Sequence, residues 1–120
     1  MKKAQNTELD FIIDKLTNSI ENTLTSEVFD TEIIRLTSID AKQIKKTDWQ
    51  FDWLQELKDK TKEVYKLTTV NNPTIIQGLL SIEDKQDHIF MHLIESAKFN
   101  KGKNKVYFGV PANLVAYACK

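Results

Sequence analysis

The chain has 120 residues, close to the size of one globular domain, so one hydrophobic core is expected over residues 1–120. Its 17 basic and 17 acidic residues balance, which removes any overall electrostatic attraction to nucleic acid or to an anionic membrane, and we expect neither as a partner. The single cysteine favours a reducing compartment. The apolar runs are too short for a signal peptide or a membrane span, so we expect a cytoplasmic location.

The first half of the chain predicts a helix, a strand and a second helix. Apolar residues recur at intervals of three and four through residues 7–24, which is typical of an amphipathic helix. The β-branched stretch 32–37 predicts a short strand. From about residue 40 to residue 60 the pattern is helical again. Trp49 and Trp53 lie four residues apart there, so we expect both to face one partner surface and to belong to the core, with a ligand platform as the alternative.

Three strands are predicted next. Residues 62–69 alternate apolar with polar side chains, as a half-buried strand does. Residues 74–83 and 88–96 are apolar at consecutive positions, so both are expected to be central strands that are covered on both faces. The polar connector 84–87 is short enough to join them as an antiparallel hairpin.

A polar loop over residues 98–105 and a helix over residues 111–120 complete the prediction. The four lysines of that loop either recognise a phosphorylated ligand or are simply solvated. The order of elements predicts an α/β fold with a mixed, largely antiparallel central sheet and helices on both faces. A helix that follows a central strand normally leads to a parallel neighbour, so we expect this helix to be either a terminal cap or the last element of a fold that has lost its C-terminal strands.

Gly109 introduces the last helix within the segment Gly109-Val110-Pro111-Ala112-Asn113-Leu114. Small residues at a helix N-terminus let an anion approach unpaired backbone amides and the positive end of the helix dipole. A single glycine before a helix is also typical of an ordinary turn, and the sequence leaves both interpretations open.

Three consecutive features are similar to the acetyl-coenzyme A motif of a bacterial branch of the GNAT-type N-acetyltransferases. They are the hairpin segments Gln77–Glu83 and His88–Ser96, and the loop that leads into Gly109–Leu114. The resemblance implies an acyl-coenzyme A N-acyltransferase fold whose C-terminal strands are missing. It divides the single domain into an N-terminal helical region, residues 1–30, and residues 31–120 with the sheet, the coenzyme loop and the motif helix. The implied activity is transfer of an acetyl group from acetyl-coenzyme A, as co-substrate and without a metal, to an amine.

The resemblance also implies which residues bind the cofactor. One strand faces the pantetheine arm. The N-terminal end of the last helix, here called the helix mouth, holds the pyrophosphate, and loop lysines add positive charge. Pro111 differs from the family pattern because it has no amide hydrogen to donate. The expected cofactor-binding residues are Leu93, Ile94, Glu95, Lys103, Lys105, Gly109, Val110, Ala112, Asn113 and Leu114.

Acetyl transfer to an amine needs a base that removes a proton from the ammonium form. Glu95, His92 and Glu83 are the candidates, since they lie on or beside the two predicted strands. Strand alternation puts His92 and Glu95 on opposite faces, so we do not expect them to act as one pair. His92 is also consistent with a hydrogen-bonded sheet histidine, and Glu95 with a solvated strand end. His88 and His92 would be about 13 Å apart along a strand, too far to share a metal.

A second hypothesis is a non-catalytic binding or interaction module on the same scaffold. An unfinished sheet exposes a strand edge, and exposed edges pair readily with another chain. This hypothesis predicts a homodimer joined through the sheet edge.

Overall fold

A computed structural model describes residues 19–102 and 105–119. Its strands form one six-stranded sheet in the order β5-β4-β3-β2-β1-β6, and every neighbouring pair is antiparallel. Short 3-10 turns lie at Ser38–Gln43, Lys46–Asp48 and Lys98–Asn100. The strands and helices are β1 (Ser19–Asn22), β2 (Val28–Leu36), α1 (Trp53–Lys58), β3 (Glu63–Thr69), β4 (Gly78–Asp84), β5 (Ile89–Ser96), β6 (Tyr107–Phe108) and α2 (Val110–Ala118).

The two helices cover opposite faces of the sheet, each over its own apolar cluster. The α1-face cluster consists of Leu36, Ile44, Trp53, Val64 and Leu79. The α2-face cluster consists of Ile20, Leu67, Leu80, Ile82, Val110, Leu114 and Ala118. The α/β class with helices on both faces is therefore confirmed, although the described sheet is antiparallel throughout and not mixed. Neither helix has the length and apolar character needed to cross a bilayer.

The hairpin of β4 and β5 forms as predicted, but only β4 is central. Leu79 and Leu80, which are adjacent residues of β4, are both fully buried. One lies in each cluster, as expected of a strand covered on both faces. Strand β5 is an edge strand in the described part of the chain, so its prediction as a central strand was wrong. Its first three residues are exposed to solvent, namely Ile89 at 38%, Phe90 at 47% and Met91 at 40%.

The predicted opening helix is wrong where the structure can be compared with it, and residues 7–18 lie outside the described residues. Ser19–Asn22 is strand β1, in which Ile20 is fully buried between β2 and β6. Asn22 ends the strand, because its Oδ1 accepts hydrogen bonds from the amides of Leu24 and Thr25 at 2.9 and 3.0 Å. Leu24, counted in the helical pattern, is 92% exposed.

The predicted helix over residues 40–60 is replaced by two 3-10 turns and the six-residue α1. Asp52 caps α1 by accepting a hydrogen bond from the Gln55 amide at 3.2 Å. The prediction for the two tryptophans is nevertheless confirmed, since Trp53 is 1% exposed and Trp49 packs against the same α1-face cluster. Their shared surface comes from the path of an irregular segment and not from helical spacing.

Helix α2 begins on top of Gly78, the first residue of β4. A β-carbon at Gly78 would lie 2.8 Å from Val110 Cγ1 and 2.9 Å from Leu114 Cδ1. It would also lie 3.1 Å from the backbone oxygen of Glu95. Only glycine therefore allows the first turn of α2 to pack so closely on the sheet.

Substitution Gly78→Ala should lower the free energy of unfolding by about 1–3 kcal/mol, because the added methyl overpacks the interface between α2 and β4. Gly102→Ala is the comparison, since a β-carbon there meets nothing within 4 Å. Gly102→Ala should lower the free energy of unfolding by only about 1 kcal/mol, because alanine disfavours the left-handed backbone conformation at this position. Chemical denaturation measures both changes, and an equal or smaller loss for Gly78→Ala would contradict the close packing.

Candidate functional site

The mouth of α2 lies at the end of the edge strand β5. Gly78 pairs with Ser96, the last residue of β5, and supports Val110 and Leu114 from α2. Gly109 precedes the helix in a left-handed conformation, with φ of 98°, which glycine adopts at no steric cost. The predicted strand and the predicted helix mouth are thus neighbours in space.

Asn113 connects the N-terminal end of α2 to strands β1 and β2. Its Nδ2 donates to the backbone oxygens of Ser19 at 2.9 Å and of Gly109 at 2.7 Å. Its Oδ1 accepts a hydrogen bond of 2.8 Å from the hydroxyl of Thr31. Asn113 is fully buried, so its side chain holds the protein's own backbone in place.

The other cofactor-binding candidates at the helix fall into two groups. Val110 and Leu114 are fully buried in the α2-face cluster, where their side chains serve packing. Gly109 and Ala112 are partly accessible at the mouth. Lys105 is also partly accessible, with its ammonium 5.8 Å from the centre of the Phe108 ring. Lys103 lies outside the described residues.

The strand candidates differ in environment. Leu93 packs against the α1-face cluster and Ile94 against the α2-face cluster, and both are half-buried. Among residues 19–102 and 105–119, β5 pairs with β4 on one side and with no strand on the other. Within the described residues, the outer backbone edge of Leu93–Ser96 is therefore left without a strand partner.

Glu95 is buried, with 5% exposure, so its alternative interpretation as a solvated strand end was wrong. One carboxylate oxygen accepts from the Phe51 amide at 3.2 Å and from the Trp53 indole at 2.8 Å. The other accepts from the Gln50 amide at 2.7 Å and from the Lys101 ammonium at 3.0 Å. With both oxygens occupied, Glu95 fixes the segment before α1 and the loop after β5 to the end of the edge strand.

The electrostatic balance at Glu95 keeps the carboxylate ionised. Burial acts most strongly and by itself would raise the pKa, but hydrogen bonds from Gln50, Trp53, Lys101 and Phe51 outweigh it. The pKa of Glu95 therefore lies below its ordinary value of 4.5. A base with a lowered pKa and four donors in place is poorly suited to proton transfer near neutral pH.

His92 and Glu83 meet on the α1 face because of a β-bulge. The register between β4 and β5 shifts after Ser81, which pairs with Leu93, to Ile82, which pairs with Met91. His92 is the extra residue at this shift. Its Nε2 lies 2.8 Å from Glu83 Oε1.

The prediction that His92 and Glu95 lie on opposite faces is wrong because of this bulge. Glu83 pairs with Phe90, whose ring is 4.7 Å from that of His92, so all three side chains share one face. Leu93, which packs in the α1-face cluster, lies on that face too, and Glu95 follows two residues later. His92 and Glu95 are therefore on the same face, in separate hydrogen-bond networks.

The hydrogen bond from His92, with a smaller contribution from Lys85, holds the pKa of Glu83 below its ordinary value. An ionised Glu83 favours the histidine tautomer that carries its proton on Nε2. The Nδ1 atom of His92 then has a lone pair that can accept a proton. Of the three predicted catalytic residues, the structure brings His92 and Glu83 together and gives Glu95 a separate position.

Two buried amides near the site were not singled out from the sequence. Asn100 donates to the side-chain oxygen of Gln77 at 2.9 Å and accepts from the Tyr107 amide at 3.1 Å. The segment was predicted as an exposed loop, yet Asn100 is 4% exposed. The one signal in the sequence was Phe99, an aromatic residue within a lysine-rich stretch.

Comparison of the chain with protein-family models, with curated proteins and with solved structures gives no match. In the described part of the chain, no three His, Cys, Asp or Glu side chains are grouped closely enough to hold a metal ion.

Substitution Glu95→Gln should lower the free energy of unfolding at pH 7 by about 2–4 kcal/mol, because one amide group then faces hydrogen-bond donors. A carboxylate whose pKa is lowered by folding stabilises above its unfolded pKa and loses that contribution as the pH falls through the folded pKa. The difference between the two proteins should therefore shrink below about pH 4.5.

Denaturation at pH 7 and pH 3.5 measures this effect. Glu27→Gln is the control. Glu27 is exposed, so this substitution should leave the free energy of unfolding nearly unchanged. A Glu95→Gln protein as stable as the parent at pH 7 would contradict the structural role.

Proposed function

We propose that this protein binds acetyl-coenzyme A along the outer edge of β5 and transfers the acetyl group to an amine. The observation that carries the proposal is the contact of Val110 and Leu114 with Gly78, opposite Ser96. It brings an open strand edge and a helix N-terminus to the same corner of the molecule. This pairing of features is what the resemblance to GNAT-type N-acetyltransferases leads us to expect.

The open edge suits the pantetheine arm of the coenzyme. That arm contains two amide groups, which can pair with strand backbone as a neighbouring strand would. From His92 to Ser96 the strand advances about 13 Å, at about 3.3 Å per residue. A thioester near His92 would thus leave the phosphate end of the arm near Ser96.

The helix mouth suits the pyrophosphate. Positive charge at the N-terminal end of the nine-residue α2 favours an anion there, and Gly109 leaves room for it to approach the backbone. Lys105 adds a cation on the preceding loop. Pro111 donates no amide hydrogen, so more of the phosphate contact falls to neighbouring amides and to lysine.

His92 is the proposed base. Nδ1 of its ring accepts a proton from the substrate ammonium, while Glu83 holds Nε2–H at 2.8 Å and stabilises the imidazolium that forms. The free amine lone pair then attacks the thioester carbonyl carbon. The C–S bond breaks as the new C–N bond is completed, and the nitrogen gives up a second proton that protonates the departing coenzyme A thiolate. The products are an amide and coenzyme A.

The alternative is a non-catalytic interaction module that dimerises through β5. Its support is the exposure of Ile89, Phe90 and Met91 along the open edge. A twofold axis would join two such edges as antiparallel strands. A dimer mass by light scattering, without any response to acetyl-coenzyme A, would favour this module over the acetyltransferase.

The test combines binding and turnover. Calorimetric titration with acetyl-coenzyme A should give heat of binding for the parent protein and for His92→Ala alike. Release of coenzyme A in the presence of a panel of primary amines should fall by about 10²–10⁴ in His92→Ala, the usual contribution of a general base.

His88→Ala is the matched control. His88 is exposed and contacts Asp87 in the hairpin turn, so its loss should leave both binding and turnover unchanged. No heat at millimolar acetyl-coenzyme A would rule out the acetyltransferase. Full turnover in His92→Ala would remove His92 from the mechanism.

A further inference from the structure

A cleft of about 180 Å³ lies just beyond the end of β5, on the side of the α1-face cluster. It is lined by Asp48, Trp49, Ala97, Lys98 and Phe99. Phe99 is 41% exposed, and Trp49 is half-buried. Two aromatic side chains thus border an open space that the described residues leave unfilled.

Both walls of this cleft are held in place by buried polar contacts. On the Trp49 side, the next two amides, of Gln50 and Phe51, donate to the buried carboxylate of Glu95. On the Phe99 side, the Ala97 amide donates to the Gln77 backbone oxygen at 2.9 Å. The side chain of Asn100 donates to the same oxygen at 3.2 Å. Rigid walls reduce the entropy that is lost when a ligand binds.

The chemistry of the lining selects a ligand class. Aromatic walls favour a flat heteroaromatic ring, for which base stacking is a general mode of binding. Asp48 can accept a hydrogen bond from an amino group on that ring. Lys98 forms no ion pair within the described residues, so its ammonium is available for a phosphate. The combination fits an adenine nucleotide.

We propose that this cleft binds the 3′-phosphoadenosine end of coenzyme A, with the adenine against Trp49 and Phe99 and the 3′-phosphate near Lys98. This inference rests on the proposed function and adds a subsite to it. The parts of coenzyme A would follow one another in the same order as the residues that contact them. The arm follows β5, the pyrophosphate lies near Ser96 and the helix mouth, and Ala97, the next residue, is the first to line the cleft.

The experiment compares three ligands by calorimetry, namely coenzyme A, dephospho-coenzyme A, which lacks the 3′-phosphate, and 4′-phosphopantetheine, which lacks the adenosine. Phe99→Ala should weaken coenzyme A binding by about tenfold and leave 4′-phosphopantetheine binding unchanged. Lys98→Ala should bring the affinity for coenzyme A down to that for dephospho-coenzyme A.

Controls are chosen for equal exposure outside the cleft. Ile75→Ala removes an apolar side chain that is 43% exposed, and Lys58→Ala removes an exposed lysine at the end of α1. Neither should change any of the three affinities. Because Phe99 and Lys98 are both on the surface, their variants should fold, which circular dichroism checks.

The outcomes separate this inference from the proposed function. If coenzyme A and 4′-phosphopantetheine bind equally well, and Phe99→Ala changes neither, the subsite is ruled out while the strand-edge site remains. If none of the three ligands binds, the proposed function and the subsite both fail.

Discussion

Helix α2 packs directly on Gly78, and this close contact positions the N-terminal end of the helix against the sheet. Val110 and Leu114 occupy the space that any larger residue at Gly78 would need. This contact closes the α2-face cluster and fixes the helix mouth beside Ser96. Strand edge, helix mouth and aromatic cleft then follow one another around a single corner, and the proposed acetyl-coenzyme A site is the ligand path that connects them.

Glu95 illustrates how burial changes the role of a residue. A carboxylate at the end of a strand suggests a catalytic base, but here four donors converge on it from Gln50, Phe51, Trp53 and Lys101. Such a group contributes order to its surroundings, since two irregular segments are held to the strand through it. In the proposed reaction the base is instead His92, whose Nε2 lies 2.8 Å from Glu83 Oε1.

Local patterns predicted much of the fold. The hairpin of β4 and β5, strand β3 and helix α2 each carry their signal within a short stretch, so their predicted ranges overlap the observed ones, although β4 begins at Gly78 and not at residue 74. Strands β1 and β6 depend on pairing between distant residues, and Ile20 fits a helical spacing as well as a strand. At the site, the bulge at His92 could not be predicted, because one extra residue in a strand leaves no mark on an alternating pattern. The partners of Glu95 lie more than forty positions away in sequence, except for Lys101.

Amide hydrogen exchange, followed by mass spectrometry or NMR with and without acetyl-coenzyme A, locates the bound coenzyme on the chain. Bound acetyl-coenzyme A should slow exchange at amides of Leu93–Ser96, on the open edge of β5, and in the first turn of α2. Protection confined to other elements, or none at saturating ligand, would contradict the proposed site.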